Sequence, residues 1–158
     1  MRAGPLALLI LAAPALALPA TPPAKGGWSF AHWGMSKAEV RAASGGRAHA
    51  PDADPDDPDD TVDGGATLGP FIFDSVRLEY AREGLVQINL HLAGHAGDCA
   101  KLGAYMKQTY GPKWTVEDEE GSHTLAWDDA ASGNEVLWTR MDDGDDVCEV
   151  VYDPLPKR

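Results

Sequence analysis

The chain has 158 residues, with 25 acidic and 13 basic side chains and a formal net charge of −12. Hydrophobic residues make up 44% of it and charged residues 24%, a balance typical of one globular domain of ordinary size. The negative charge argues against nucleic acid and against anionic membrane surfaces as partners, because both are bound through a basic face.

Residues 1–20 have the layout of a secretory signal peptide, with a positive charge near the start, an apolar stretch and an A-x-A signature at 15–17. The alternative is a membrane anchor, but the apolar run is too short for a bilayer core of about 30 Å and is interrupted by Pro14. We therefore expect a periplasmic or secreted protein without a transmembrane segment in the mature chain. Residues 21–27 are predicted to be a Pro/Gly-rich linker, and residues 28–155 a single domain.

A short helix is predicted over residues 37–43. Ser36 is the candidate N-cap and Glu39 follows three residues later, which is the pattern of a capping box. The helix is expected to stop before Gly45.

Residues 44–66 are rich in Asp, Pro and Gly, and this composition predicts a long, mobile, acidic surface loop. Asp52, Asp54 and Asp56 have the 1-3-5 spacing of a calcium-binding EF-hand loop. Asp57 then stands where that loop requires Gly, and the twelfth position is not Glu. No metal site is predicted here, and a calcium-dependent module remains an alternative.

Alternating apolar residues at 76–80 and 86–92 predict an antiparallel hairpin. A second helix is predicted from an N-cap at Asp98 to Gly111, followed by three strands near 123–127, 135–141 and 146–152. This order predicts an α+β fold, an antiparallel sheet of about five to six strands with two helices packed on one face.

The two cysteines are Cys99 and Cys148, which fall on the inward faces of the second predicted helix and the last predicted strand. In an oxidising compartment an even number of cysteines favours a disulfide, and we predict a Cys99–Cys148 bridge. The alternative is a pair of buried thiols.

Two segments resemble a known class of proteins. Residues 33–40, WGMSKAEV, and the helix exit Tyr110-Gly111-Pro112 resemble small exported bacterial domains with an FGM[ST]xxEV-like helix opening. They are more distantly similar to SmpA/OmlA-type and β-lactamase-inhibitor-like domains. The resemblance implies an α+β binding or scaffolding module rather than an enzyme. The SmpA/OmlA-type proteins are lipoproteins, and the Cys that accepts their lipid is missing here.

The sequence contains no G-x-S-x-G, phosphate-binding or dinucleotide-binding motif, so no catalytic or cofactor-binding residue is predicted. His91 and His95 are candidate metal ligands, but four residues of strand span about 13 Å, which is too far for both to reach one ion. A small enzyme with an irregular site stays an alternative.

Five Trp remain as a possible functional feature. Each can belong to the core. If Trp127 and Trp138 face away from the helices, they form an exposed aromatic patch of the kind that binds partners. The sequence therefore predicts a non-enzymatic binding domain of unknown partner and undetermined oligomeric state, with Trp127 and Trp138 as candidate contacts.

Overall fold

The computed structural model describes residues 26–52, 56–94, 97–141 and 146–156. The predicted signal peptide and most of the predicted linker lie outside these residues. The elements in chain order are α1 Lys37–Ala43, β1 Asp60–Leu68, β2 Phe71–Ala81, β3 Gly84–Ala93, α2 Asp98–Tyr110, β4 Thr115–Glu119, β5 Ser122–Asp129, β6 Asn134–Met141 and β7 Val147–Pro154.

The strands form one antiparallel sheet in the order β1-β2-β3-β7-β6-β5-β4. The last strand of the chain therefore inserts between β3 and β6 and joins the hairpin β2–β3 to the meander β4–β5–β6. The α+β class, with an antiparallel sheet and two helices, is confirmed.

The predicted number of five to six strands is wrong, because the sheet has seven. The two missed strands are the edges, β1 and β4. Every residue of β4 is exposed, and β1 lies partly inside the segment predicted to be the acidic loop 44–66. An edge strand that buries few side chains has little hydrophobic alternation, so its sequence carries a weak strand signal.

One hydrophobic cluster joins the inward side chains of the sheet with buried side chains of both helices, including Val40, Leu102 and Met106. The expectation of two helices packed on one face needs correction. The irregular segment before α1 is also part of the cover, because Trp28, Trp33 and neighbouring apolar side chains pack against the same cluster.

Helix α1 begins and ends as predicted, and its capping box is confirmed. The Ser36 side chain accepts a hydrogen bond from the Glu39 backbone N–H, and the Ser36 backbone N–H donates to Glu39 Oε2 at 2.8 Å. These reciprocal bonds satisfy backbone donors that the first turn of a helix otherwise leaves unpaired.

Helix α2 is capped from a distant part of the chain. Its N-cap is Gly97, and Asp98 is the first helical residue rather than the predicted cap. Asp146, immediately before β7, accepts hydrogen bonds from the backbone N–H of Asp98 at 2.7 Å and of Cys99 at 3.3 Å. The Cys99–Cys148 disulfide is confirmed in the same place, with the two Cα atoms 5.7 Å apart. The first turn of α2 is thus fastened to β7 twice.

The last two residues of the predicted linker 21–27, Gly26 and Gly27, contact the folded domain. The buried Asn134 side chain accepts from Gly27 N–H and from Trp33 Nε1, both at 2.9 Å, and its Nδ2 donates to the Gly27 carbonyl. Gly26 has φ +89°, and a Cβ there would collide with the Trp33 indole.

The end of the acidic segment is also ordered by specific contacts. Asp60 is fully buried and receives two hydrogen bonds from Arg41 of α1, at 2.6 and 3.0 Å. Asp59 receives two from Arg77 of β2, at 2.7 and 3.1 Å. The like charges that predicted a solvated loop are here paired with arginines, which is what permits their burial.

Candidate functional site

The structure places both predicted contact residues in the core. Trp127 is 2% exposed and Trp138 is 4% exposed. Trp127 Nε1 donates to the Gly111 carbonyl at 3.1 Å, and the Trp138 ring lies so close to Gly103 of α2 that an added Cβ would be 2.8 Å from it. The two residues therefore form no exposed aromatic patch.

Two hollows lie on the opposite face of the sheet, here called the outer face. Its side chains alternate with buried ones along every central strand, as Val151 does with Val150 and Tyr152. One hollow of about 600 Å³ spans β2, β3, β7 and β6. Another of about 480 Å³ continues over β6, β5 and the start of β4.

An apolar strip crosses the floor of these hollows. Val151 is in register with Leu137, and Leu137 with Ala126. Trp114 also lines the second hollow, but its ring packs against the buried Trp127 and under Lys107 of α2, so it belongs to the helix side of the sheet. We call Val151, Leu137 and Ala126 the apolar strip. A sheet face exposed to water does not require such a strip, since antiparallel strands commonly carry polar residues on their solvated face.

Carboxylates border the apolar strip on both sides. On one side Asp153, Glu135 and Asp128 follow one another across β7, β6 and β5 in register. On the other side is Glu149, two residues before Val151 on β7. Glu79 of β2 adds a further carboxylate to the larger hollow.

Polar side chains of β3 hold several of these carboxylates in place. Gln87 donates to Asp153 at 2.9 Å, and Asn89 donates to Glu79 at 2.8 Å. His91 Nδ1 lies 3.4 Å from Glu149 Oε1. Hydrogen bonds from the amides of Gln87 and Asn89 position the carboxylates of Asp153 and Glu79 without cancelling their charge.

The cations that line the hollows are fewer than the carboxylates. Arg77 is held by Asp59, whose hydrogen bond raises the pKa of the guanidinium, and also lies 3.4 Å from Asp57 and 3.7 Å from Glu79. Lys113 lines the smaller hollow. Arg77 is thus already surrounded by carboxylates.

A hydroxyl, an imidazole and a carboxylate lie side by side in the larger hollow. Ser75 pairs with His91 across β2 and β3, and His91 pairs with Glu149 across β3 and β7. Within the described residues, however, no hydrogen bond joins Ser75 to His91. The backbone of β3 pairs with strands on both sides, so it offers no free amide to stabilise an oxyanion there.

The remaining predicted sites are only partly described. His95 and Asp54 lie outside the described residues, so neither the histidine pair nor the EF-hand-like spacing is tested. In the described ranges, no group of three or more His, Cys, Asp or Glu side chains is placed to hold a metal ion. Neither helix there is long and apolar enough to cross a membrane.

Comparison of the chain with protein-family models, curated proteins and solved structures finds no match.

Sequence reasoning missed most of the outer-face residues. The one available signal was in β6, where Leu137 lies between the buried Val136 and Trp138, so that both faces of the strand are apolar. The polar residues of β3 and β7 looked like ordinary solvated positions, because nothing in the sequence shows that these two strands are neighbours.

Proposed function

We propose that this chain is an exported, non-enzymatic binding domain whose partner docks on the outer face of the sheet, opposite both helices. The observation that carries the proposal is the apolar strip, which lies half-buried on the floor of the two hollows and is bordered by carboxylates. Covering apolar surface of this kind stabilises a complex, and a charged border selects the partner.

The signal-peptide pattern and the resemblance to small exported bacterial domains support the proposed location in the periplasm or outside the cell. The confirmed disulfide is in keeping with it, since disulfides persist in oxidising compartments. The distribution of charge supports a binding role, because carboxylates outnumber basic side chains in the lining of the two hollows.

Site-specific photo-crosslinking in an exporting bacterium tests the proposal. A photoreactive phenylalanine is placed at Leu137 on the outer face and, as a control, at Ala104, which is exposed on α2. We expect a discrete adduct from position 137 and none from position 104. Equal crosslinking from both positions, or none from position 137, would contradict the proposal.

A small secreted enzyme is the second candidate, and the row Ser75, His91 and Glu149 is the observation that favours it. A fluorophosphonate reagent labels an activated serine but leaves an ordinary hydroxyl unmodified. We expect no labelling of the folded protein. Labelling that disappears in both the Ser75→Ala and the His91→Ala variants would establish a nucleophile and overturn the non-enzymatic assignment.

A further inference from the structure

We infer that the partner segment bound by the outer face is a cationic amphipathic helix lying across the strands. The inference rests on the proposed function and adds the chemistry and shape of the occupant. It follows from three properties of the outer face, namely the paired backbone beneath it, the dimensions of the apolar strip and the charges that border the strip.

The paired backbone favours a helix over an extended segment. Strands β3, β7, β6 and β5 each have a bonded neighbour on both sides, so their amides and carbonyls are already paired. An extended segment lying across them would find no backbone partners and would leave its own polar groups unsatisfied. A helix pairs its backbone groups internally and presents only side chains.

The dimensions of the apolar strip suit a short helix. The strip runs over β7, β6 and β5, and with strands about 4.8 Å apart its length is about 10 Å. At 1.5 Å per residue, about seven residues of helix cover that distance. One apolar stripe along the helix would then rest on Val151, Leu137 and Ala126.

The charges fit lysine or arginine on both flanks of that stripe. Glu149 and Asp153 are four residues apart on β7, with Val151 midway, so their backbones are separated by about 13 Å. A helix with its side chains is about 10–12 Å wide. Long basic side chains on either flank can therefore reach a carboxylate while their stems lie against the apolar strip.

The probe is a synthetic 14-residue leucine/lysine peptide with leucine at helical spacing, compared with a scrambled peptide of the same composition that has no apolar stripe. Binding to the full mature domain is measured by calorimetry and mapped by NMR amide shifts. We expect the shifts to centre on β6 and β7, and the scrambled peptide to bind at least tenfold more weakly.

Two variants test the two features separately. Leu137→Asn removes the centre of the apolar strip and is expected to lower the affinity for the leucine/lysine peptide at least tenfold. The double variant Glu149→Gln/Asp153→Asn is expected to weaken it about tenfold and to reduce its salt dependence. The matched control is Glu83→Gln/Asp52→Asn, which removes the same charge at exposed positions that line neither hollow and should leave the affinity unchanged.

Equal binding of the scrambled peptide, or an equal loss in the control variant, would show general attraction to an acidic protein and overturn the inference. Shifts confined to the edge strand β4 would also overturn it, since they indicate an added strand. The in-cell crosslink from position 137 separates the two proposals. If that adduct forms and the peptide fails to bind, the helical partner is wrong and the outer face stays the binding surface.

Discussion

Replacing Gly103 by alanine tests where Trp138 lies. Two effects oppose each other. Alanine in place of glycine inside a helix stabilises the helix by about 1 kcal/mol. The new Cβ would, however, stand 2.8 Å from Cζ2 and 2.9 Å from Cη2 of Trp138, closer than carbon atoms approach without displacement.

The displaced atoms belong to a rigid, buried ring rather than to the end of a flexible chain, so relaxation is difficult. Overpacking of a core costs about 1–3 kcal/mol. We therefore expect Gly103→Ala to lower the free energy of unfolding by about 1 kcal/mol, which corresponds to a fall of about 4 °C in the melting temperature. Urea denaturation measures this change. The slope of the free energy of unfolding against urea concentration should stay the same, so that only the midpoint moves.

The variant Trp138→Phe provides the control. It removes the fused ring that Gly103 faces, together with an indole N–H that has no hydrogen-bond partner among the described residues. In that background Gly103→Ala should change sign and stabilise the protein, because only the helix preference remains. If Gly103→Ala stabilises the protein while Trp138 is intact, the close approach is absent, and the assignment of Trp138 to the core beneath α2 is refuted.

Three further predictions concern residues that fasten the fold. Asp146→Ala should lower the free energy of unfolding by about 1 kcal/mol through loss of the α2 cap. Asp146→Asn should lower it by less, because the amide oxygen can still accept the hydrogen bonds. Equal urea midpoints for the two variants would argue against capping. Asn134→Ala should lower the free energy of unfolding by about 2 kcal/mol and speed hydrogen exchange of the Gly27 amide, because it leaves buried partners unpaired. An unchanged exchange rate would contradict this prediction. The pKa of His49 should lie above its ordinary value of 6.5, because the Ala50 carbonyl and then Asp63 favour the charged ring. Its stabilising contribution is then present at low pH and is lost as pH rises through that pKa. NMR titration should show a lower His49 pKa in Asp63→Asn, and an unaltered titration would count against the contact.

Local patterns determined several features of this protein. The capping box at Ser36 and Glu39 defined α1, because its hydrogen bonds connect residues three apart in the chain. The alternation of apolar residues likewise predicted the hairpin β2–β3, and the inward phase of Cys99 and Cys148 predicted their bridge. These features depend on contacts between near neighbours or on the repeat of one element, and both can be read along a sequence.

The remaining features depend on contacts between residues that are far apart in the chain, and no local sequence pattern predicts such contacts. The acidic segment was predicted to be a loop because its charges repel, yet Arg41 and Arg77 lie beside Asp60 and Asp59 only once the elements pack. Asp146 caps α2 from 48 residues away in sequence, a distance that no local pattern covers.

The candidate site shows most clearly that the sequence does not predict which distant residues become neighbours. Val151, Leu137 and Ala126 become one strip only because β7 inserts between β3 and β6, a pairing that joins the two halves of the chain. Sequence alternation indicated that one face of β2 and of β3 is buried, since burial of apolar area selects the phase of a strand. Only the tertiary structure decided that Trp138 belongs to that buried face, and which outward residues lie next to one another, because the order of strands is set by the packing of the whole sheet.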